Sequence, residues 1–305
     1  MSDALSELLG VAGVRGSLIS RAELGAPFGV VAPDQPRAVF HVPVRGKAVV
    51  EADGRSEPFG PGDVVVLPRG AAHTIRDASG SVRCPIDSFG RRDGEGQLPV
   101  LFDDRGRVDL DLLCGTFRLG SPADRWLIDP MPELVVVRGS DATAAYLRAT
   151  VALLDGEVAH GGPGADVVSD RLVEVLVVHV LRGFARQADD VGWFAGVADP
   201  AIGRVLHAVH RAPASDWSLD RMCRLAGLSR TRFVARFRER VGQSPNAWLT
   251  QWRIAVAQRA LRAGAAIAEA AAKAGYASEA SFTRAFKRVS GETPSAWRRA
   301  SAEAA

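Results

Sequence analysis

Cationic, polar and small side chains stand at helical spacing in two short segments near the end of this 305-residue sequence. They are Thr231, Arg232, Ala235, Arg238 and Glu239 in the first segment, and Ala280, Thr283, Arg284, Lys287 and Arg288 in the second. Guanidinium, ammonium and hydroxyl groups donate hydrogen bonds to phosphate oxygens and to the edges of bases. The residue types and their spacing therefore indicate two helices that could read DNA.

Two phenylalanines, four positions apart, mark the opposite side of each segment. They are Phe233 and Phe237 in the first, and Phe282 and Phe286 in the second. Side chains four residues apart lie on one stripe of a helix, so these rings are predicted to face inward. A helix that buries an aromatic stripe and exposes a cationic side is suited to bind in the major groove of DNA. A solvated helical bundle with a cationic surface is the alternative, which a single copy of the pattern would favour.

The pattern of residues around these segments occurs twice in the sequence. Nine residues between 219 and 248 recur between 267 and 297, at an offset of 48 residues up to a glycine and 49 after it. A repeat at a fixed offset indicates one supersecondary unit used twice. We therefore predict two helix-turn-helix units, at 217–246 and 265–296.

A glycine and a serine set the turn in each predicted unit. Gly227 and Gly275 follow the first helix of each unit, where a tight turn is needed. Ser229 and Ser278 stand at the start of the second helix, where a side-chain oxygen can accept a hydrogen bond from a free N–H group. The sequence thus predicts a capped second helix in each copy.

The charge of the chain is distributed unevenly. Residues 201–305 hold 18 Lys and Arg against 7 Asp and Glu, a net of +11, whereas residues 1–200 hold 20 against 28, a net of −8. The last third should therefore bind a polyanion, in a manner that depends on salt. The acidic remainder is not expected to contact DNA.

Cysteine content and the absence of membrane signals suggest a cytoplasmic protein. Cys84, Cys114 and Cys223 are odd in number and lack the spacing of a zinc site, which favours a reducing compartment. No long apolar run or basic amphipathic anchor is present, so no membrane partner is expected. The first residues do not have the pattern of a signal peptide.

Short β-type runs separated by Gly, Pro and Asp fill the region from Gly16 to about Phe117. The clearest predicted strands are 39–42, 47–51, 63–67 and 81–83. Regular short strands with turn residues between them are typical of a small barrel or sandwich. We therefore predict a β domain over residues 1–120.

Helical periodicity follows this region. Predicted helices at 141–154 and 166–186 belong to a helical dimerisation region with a linker, over 121–190. Apolar residues surround much of the second helix, so part of it should meet another helix or a second subunit; burial in its own domain is the alternative. Residues 188–199, rich in Asp and Gly, are predicted to be a linker. A Pro122–Pro132 loop would precede the helices.

Two further helices complete the predicted C-terminal domain, 199–305. One runs from Asp199 to His210, and the other from Ser244 to Gly264. The second spans roughly 28 Å at 1.5 Å per residue. Such a spacer could place two recognition helices about one DNA turn, roughly 34 Å, apart. The fold class is α+β and multidomain, with an all-α double helix-turn-helix at the end.

The repeat closely resembles the AraC/XylS transcription regulators. The matching motifs are Ala-Gly-x-Ser at 226–229, Ala-Gly-Tyr at 274–276, Ser-Glu-Ala-Ser-Phe-Thr-Arg-Ala-Phe-Lys at 278–287, and Gly-x-x-Pro before each tryptophan. The match covers about 217–299. It implies that exposed residues in the first turns of both recognition helices approach base edges. By position these are Thr231, Val234, Ala235, Glu279, Ala280, Thr283 and Arg284. Arg232, Arg236, Arg238, Lys287 and Arg288 are the phosphate candidates.

The β region looks like the cupin-type regulatory domain of one branch of that family. Gly62-Asp63, an apolar run, Pro68-x-Gly70 and His73 resemble the second signature of the cupin barrel. His41 and Glu51 stand where the first signature would lie, but Pro43 occupies the position of an expected histidine ligand. His41, Glu51 and His73 are therefore candidates to bind an effector or a divalent metal ion. No other cofactor is expected.

The resemblance implies a regulator that senses a small effector, forms a homodimer, and acts on promoter DNA and RNA polymerase. No catalytic residue is assigned, and enzyme activity is not expected. One alternative is a redox switch that uses Cys84 and Cys114. Another is a metal-dependent cupin enzyme fused to a DNA-binding domain, against which the residue at position 43 argues. Cys223 is predicted to be structural.

Overall fold

The computed structural model describes residues 4–80, 82–92, 98–103, 105–119, 126–139, 144–187 and 192–303. The chain forms two compact units. The sheet unit comprises Val14–Arg118 and Met131–Gln187, and the helical unit comprises Met1–Gly13, Leu119–Pro130 and Ala188–Ala305. In the described parts, no helix is both long and apolar enough to cross a bilayer.

Strands of the sheet unit form two sheets. The strands are β1 (Val14–Leu24), β2 (Gly29–Ala32), β3 (Ala38–Arg45), β4 (Ala48–Ala52), β5 (Arg55–Phe59), β6 (Val64–Leu67), β7 (His73–Arg76), β8 (Cys84–Pro85), β9 (Gly90–Arg92), β10 (Val100–Phe102), β11 (Leu110–Leu119) and β12 (Val135–Val137). The seven-stranded sheet has the order β12-β6-β3-β11-β1-β10-β9, and the five-stranded sheet has the order β5-β4-β7-β2-β8. A short 3₁₀ helix, Ile86–Ser88, follows β8.

The core of this unit lies between the two sheets. Val39, Leu110 and Leu112 from the larger sheet pack in one cluster with Val50 and Ile75 from the smaller sheet. Alternation along each strand places these side chains on the inner face. The two sheets therefore enclose an apolar interior, as the strand pattern predicted.

Two helices complete the sheet unit. They are α2 (Ala144–His160) and α3 (Ala165–Gln187). Helix α3 packs closely on β1 at Gly16, because a Cβ atom there would lie 2.5 Å from Val173 Cγ1. The absence of a side chain at Gly16 allows this approach.

The predicted strands at 39–42, 47–51 and 63–67 are confirmed in β3, β4 and β6. The prediction at 81–83 is wrong at 82–83, where the chain is irregular; the strand begins at Cys84, and Ser81 lies outside the described residues. The helix predicted at 166–186 is confirmed by α3. The other, 141–154, extends six residues further in α2, and residues 141–143 lie outside the described part.

The helical unit contains one helix from the start of the chain and a series from its end. They are α1 (Ala4–Ala12), α4 (Trp193–Ala198), α5 (Pro200–Arg211), α6 (Leu219–Ala226), α7 (Arg230–Val241), α8 (Pro245–Arg262), α9 (Ile267–Lys273), α10 (Glu279–Ser290) and α11 (Pro294–Glu303). Helices α6–α7 and α9–α10 are the two helix-turn-helix units, which the repeat predicted. The α+β class with a helical C-terminal domain is confirmed.

Helix capping differs between the two units. The Ser278 hydroxyl accepts a hydrogen bond from the Ser281 N–H at 3.3 Å, as expected for an N-cap. Ser229 begins α7 with extended backbone, but its side chain makes no capping bond, so that prediction is wrong. Only the second recognition helix has its free N–H groups satisfied in this way.

Helix α8 is the central element of the helical unit. Trp248 and Trp252, on its buried side, lie 6.2 and 6.0 Å from the ring of Trp126. The Trp126 indole donates a 2.9 Å hydrogen bond to Gln251, also on α8. At the other end, Arg262 donates to the Val11 carbonyl of α1 at 3.3 Å. Two segments from distant parts of the sequence therefore pack on the helix that separates the helix-turn-helix units.

The compact units have different bounds from the predicted 1–120, 121–190 and 199–305 segments. Helix α1 lies with the helical unit, and α2 and α3 lie with the sheets. The predicted linker, 188–199, is wrong from residue 193 onward, because Trp193 and Phe194 are buried in α4. The first four residues of that linker, and 122–125 of the predicted loop, lie outside the described residues.

The two turn glycines should differ in their tolerance of alanine. Both have positive φ, +69° at Gly227 and +77° at Gly275, which strains any other L-residue. A Cβ at Gly275 would also lie 2.7 Å from Ala214 Cα, whereas Gly227 has only the tip of Arg204 within 4 Å. We expect Gly227→Ala to cost about 1 kcal/mol and Gly275→Ala at least about 1 kcal/mol more.

Urea unfolding of the full chain, followed by tryptophan fluorescence, measures this difference. Equal losses in the two variants would contradict the close packing at Gly275.

Candidate nucleic-acid interface and buried polar cluster

The first candidate recognition helix, α7, has one buried and one exposed side. Phe233 and Phe237 are fully buried. The predicted residues Thr231, Arg232, Ala235 and Arg238 are exposed, and Val234 is half-buried. The buried stripe thus turns the cationic side of α7 toward solvent.

The second candidate, α10, repeats this arrangement. Phe282 and Phe286 are fully buried. The predicted residues Glu279, Ala280, Arg284, Lys287 and Arg288 are exposed, and Thr283 is half-buried. Phe286 also packs edge-on against Trp297 of α11, with ring centroids 6.0 Å apart, so α11 supports the buried side of α10.

The cations on these exposed sides are available to a ligand. Arg232, Arg238, Arg284 and Lys287 make no hydrogen bond or ion pair with any residue that the structure describes. Unpaired guanidinium and ammonium groups can donate fully to phosphate or base oxygens. The two helices therefore present charge that the protein itself does not neutralise.

One predicted phosphate ligand is instead part of the fold. Arg236 Nε donates to the Asp199 carboxylate at 2.7 Å, and Arg240 Nε lies 3.6 Å from the same oxygen. Asp199 also accepts the N–H groups of Ala201 and Ile202, and so caps α5. Burial opposes ionisation, but these bonds together lower the pKa of the Asp199 carboxyl. Arg236 is therefore removed from the phosphate set, because it already has a buried partner.

Inside the sheet unit, three polar side chains form a buried chain of hydrogen bonds. His41 Nε2 lies 2.8 Å from His73 Nε2, and His41 Nδ1 lies 3.1 Å from Cys114 Sγ. His73 Nδ1 lies 2.9 Å from the Ala71 carbonyl oxygen. His41 and Cys114 stand opposite each other on β3 and β11, and His73 is on the other sheet. The chain therefore connects the two sheets through the core.

The positions of the protons in this chain follow from the acceptor at its end. The Ala71 carbonyl can only accept, so His73 Nδ1 carries a hydrogen, and Nε2 of the neutral ring is an acceptor. His41 must then donate from Nε2, which leaves its Nδ1 to accept from the Cys114 thiol. All three groups are neutral in this arrangement, and each proton has one defined acceptor.

Burial keeps these groups neutral. It holds the pKa of His41 well below its ordinary value, with a smaller contribution from His73. It also lowers the pKa of His73, although the bond to Ala71 opposes this effect. Burial raises the pKa of the Cys114 thiol to about 12. The cluster is therefore a neutral polar link in the core, and Cys114 is not a thiolate near neutral pH.

Glu51 does not join the histidines as the sequence predicted. Its carboxylate accepts hydrogen bonds from Arg76 at 2.7 Å and Arg83 at 2.5 Å, and the bond from Arg76 is the main reason that the pKa of Glu51 is lowered. Among the described residues, no group of three or more His, Cys, Asp or Glu side chains could hold a metal ion. The predicted three-ligand metal site is therefore wrong, because two arginines bind the Glu51 carboxylate. The assignment of these residues to an effector stays a prediction.

The predicted redox pair is also not formed. Cys84 is on β8 of the smaller sheet and Cys114 is on β11 of the larger sheet, and both thiols are free. Cys114 is instead the partner of His41. Sequence reasoning missed this contact, because the two residues are 73 positions apart and only the register of β3 with β11 brings them together.

Both parts of the chain match known families. Residues 3–186 match a family model described as Cupin, and residues 222–300 match one described as a helix-turn-helix domain. A putative AraC-like transcription regulator of Streptomyces lividans is 33% identical, over 97% of this chain and 98% of the relative. The HTH-type transcriptional regulator MtrA of Neisseria gonorrhoeae is 28% identical, over 97% of this chain and 98% of the relative.

A solved structure is also similar to the C-terminal region. It is the DNA-binding domain of AdpA, a global transcriptional factor, in complex with a target DNA. The sequence identity is 29%, the alignment covers 34% of this chain and 93% of that chain, and the TM-score is 0.32.

The cysteines should differ in reactivity toward a maleimide. Cys84 is half-buried, whereas Cys114 is buried with a raised thiol pKa. Because the thiolate is the nucleophile, we expect Cys114 in the native protein to react at least about a hundredfold more slowly than Cys84. Mass spectrometry of timed samples measures both rates, and Cys84→Ser serves as the control. Rapid native labelling of Cys114 would contradict its assignment as a buried hydrogen-bond donor.

Proposed function

Because this chain belongs to the AraC-like transcription regulators and carries a cupin domain before its helix-turn-helix domain, we propose that α7 and α10 bind specific double-stranded promoter DNA. We further propose that a small effector, bound by the sheet unit, changes how the helical unit binds that DNA. RNA polymerase is the proposed protein partner, since a regulator bound at a promoter acts on it.

One observation carries this proposal. Each of two helices, in repeated helix-turn-helix units, exposes cationic side chains that have no partner among the described residues, and is backed by fully buried phenylalanines. A helix of this kind can enter the major groove with its first turns against the base edges. The surplus of positive charge in residues 201–305 supports the same interpretation.

The side chains of α10 suggest direct base recognition. Arg284 is exposed and can donate two parallel hydrogen bonds to a guanine. Glu279 can accept from a cytosine amino group, and Ala280 can contact a thymine methyl group. Lys287 and Arg288, further along the helix, are suited to phosphate. Thr283 is half-buried, so its access to a base is more restricted.

Helix α7 is suited to a different balance of contacts. Ala235 is exposed but lacks a polar group, and Val234 is half-buried. Arg232 and Arg238 can bind phosphate, and Thr231 is the exposed hydroxyl that can reach a base edge. This helix would therefore read the shape of the duplex and its backbone more than its sequence. The 18-residue α8 between the two units spans about 27 Å at 1.5 Å per residue, which suits successive grooves.

An open cavity in the sheet unit is a candidate place for an effector. It has a volume of about 450 Å³ and is bordered by Glu51, Arg55, His73 and Arg83 among others. Its size is in the range of small-molecule sites. His73 would link a ligand there to His41 and Cys114 through the hydrogen bonds described above.

Helices α2 and α3 carry an apolar surface that fits a second copy of the chain. Tyr146 and Leu153 on α2 are 64% and 59% exposed, and Val168 and Val175 on α3 are 42% and 44% exposed. The pairs are each seven residues apart, so they line one side of their helices. Several large apolar side chains exposed on two neighbouring helices suggest an interaction surface, and a twofold dimer would bury the same residues from both copies.

Replacement of Arg284 tests the DNA-binding proposal. If Arg284 binds a guanine, Arg284→Ala should weaken binding to the specific site by roughly 1–3 kcal/mol and relax the choice of base at one position. Arg238→Ala should weaken binding to all sequences and reduce the salt dependence by about one phosphate contact. Fluorescence anisotropy against single-base variants of the protected site measures both effects.

The exposed Lys47 of the sheet unit, which lies away from α2 and α3 in the sequence, provides a charge control. Lys47→Ala should leave DNA affinity unchanged. If Arg284→Ala weakened binding equally on every DNA sequence, Arg284 would be assigned to phosphate. If neither Arg284→Ala nor Arg238→Ala weakened DNA binding, the role of α7 and α10 would be contradicted.

The dimer surface is tested by placing charge on it. Leu153→Glu with Val175→Glu should raise the dissociation constant of the dimer at least about tenfold, since carboxylates would be buried opposite each other. Val31→Glu, at an exposed valine of the smaller sheet, is the control. Sedimentation equilibrium measures the mass, and an unchanged dimer would exclude this surface.

A further inference from the structure

A second cavity of the sheet unit is lined by arginines that neither the DNA-binding surface nor the His41 cluster uses. Its volume is about 300 Å³. Arg15 and Ser17 of β1, Arg37 just before β3, and Thr116 and Arg118 of β11 line one side. The first turns of α3 line the other side, through Val167, Asp170, Arg171 and Glu174.

The strand register brings the cationic groups together. Phe117 of β11 is opposite Ala38 of β3 at the end of this pairing, and Arg118 and Arg37 are the residues that follow these two just beyond it. β1 is the neighbour of β11 on its other side and contributes Arg15. Like charges on adjacent strands are destabilising unless a counter-charge lies between them.

None of these three arginines has a partner in the part of the chain that the structure describes. Arg15, Arg37 and Arg118 form no hydrogen bond and no ion pair there. Other arginines of the same unit are paired: Arg21 with Asp111, and Arg76 with Glu51. Three arginines without such a partner therefore lie at one cavity, in a unit where ion pairs are common.

The acidic residues of α3 do not neutralise this group. Glu174 is bound to Arg171 through both carboxylate oxygens, at 2.8 and 2.9 Å. Asp170 faces the same cavity and makes no ion pair with a described residue. Burial, with neighbouring Asp166 and Glu174, raises the pKa of Asp170, and Arg171 opposes this rise. Three free guanidinium groups thus face one free carboxyl group.

The geometry points to an anion as the missing counter-charge: we propose that this cavity binds the phosphoryl group of a small metabolite. Two strands and the residue before β3 each contribute one arginine to the cavity, and the Ser17 and Thr116 hydroxyls are further donors on its wall. A phosphate monoester carries a charge of about −1.5 to −2 and three acceptor oxygens, which suits donors from several directions better than one planar carboxylate.

The close contact of α3 with β1 defines the depth of this site. Gly16, between Arg15 and Ser17, admits the Val173 side chain, which seats the first turns of α3 beside the strands. The volume is at the lower end of small-molecule sites, so the phosphoryl group would carry only a small organic part. This inference rests on the proposed function, because it gives the chemical class of an effector.

Inorganic phosphate is the probe for this site, titrated into the DNA-free full chain at constant ionic strength in chloride buffer. Bound phosphate stabilises the folded protein, so the melting temperature should rise with its concentration. Arg37→Gln with Arg118→Gln should weaken phosphate binding at least about tenfold, because two charged hydrogen bonds are lost. Lys47→Gln, which removes an exposed positive charge of the sheet unit outside the cavity, should behave as the wild type.

Two further measurements keep the test decisive. Arg118→Lys should retain part of the response, which separates binding from a general effect on folding and replaces the double variant if that protein does not fold. Succinate, a dicarboxylate, should bind at least about tenfold more weakly than phosphate. The proposal would be overturned if phosphate raised the melting temperature of the double variant as much as that of the wild type. It would also be overturned if succinate acted as strongly as phosphate, or if phosphate had no effect on the wild type.

Failure here is distinguishable from failure of the proposed function. The titration contains no DNA, and the Arg284 experiment contains no phosphate. If phosphate has no effect but the protein still binds promoter DNA, the proposed regulatory function stands and only the phosphorylated effector is rejected.

Discussion

The burial of a neutral histidine among tryptophans organises the helical unit. The His210 ring lies 4.2 Å from Trp252, 5.5 Å from Trp248 and 6.0 Å from Trp193, and its side chain is inaccessible to solvent. Burial, with a smaller contribution from His207, lowers the pKa of His210 to about 3. Neither imidazole nitrogen has a hydrogen-bond partner among the described residues, and Nδ1 lies 4.0 Å from the Glu7 carboxylate, so ring packing is the main contact of this imidazole. The helix that carries Trp248 and Trp252 is also the one that spaces the two helix-turn-helix units. Their placement therefore depends on an aromatic cluster that must remain uncharged.

Arginine is used in two different ways in this chain. In the sheet unit, guanidinium groups such as those of Arg76 and Arg138 are bound to the carboxylates of Glu51 and Glu57. These ion pairs neutralise charges on neighbouring strands. On the recognition helices, guanidinium groups such as that of Arg284 have no partner among the described residues and remain available. Net charge alone would not separate these uses. What distinguishes them is whether an acidic side chain is within reach, and residues 201–305 contain few.

Local sequence patterns predicted the helices of the helical unit well, but they did not predict contacts between residues far apart in the sequence. The spacing of Phe233 and Phe237, and its recurrence, fixed the helices and their buried faces, because both depend on residues a few positions apart. The bond of His41 to Cys114 depends on strand register, and the capture of Arg236 by Asp199 depends on how α4, α5 and α7 pack. Glu51 was assigned to the histidines by its position in a motif, and no local signal indicated that Arg76 and Arg83 would bind it. Tertiary competition for a charged group cannot be read from sequence spacing.

Helix α1 has a consequence for the way this chain is made. Leu8 and Val11 are buried within a unit whose other helices lie beyond residue 192. Arg262, which bonds to the Val11 carbonyl, is synthesised about 250 residues after α1. During translation, the apolar side of α1 must therefore stay uncovered while the strands that follow it are already able to pair. Helices α5 and α8 of the last third both pack on α1, so a chain whose synthesis stops before α5 would contain the whole sheet unit and a first helix with its apolar side uncovered.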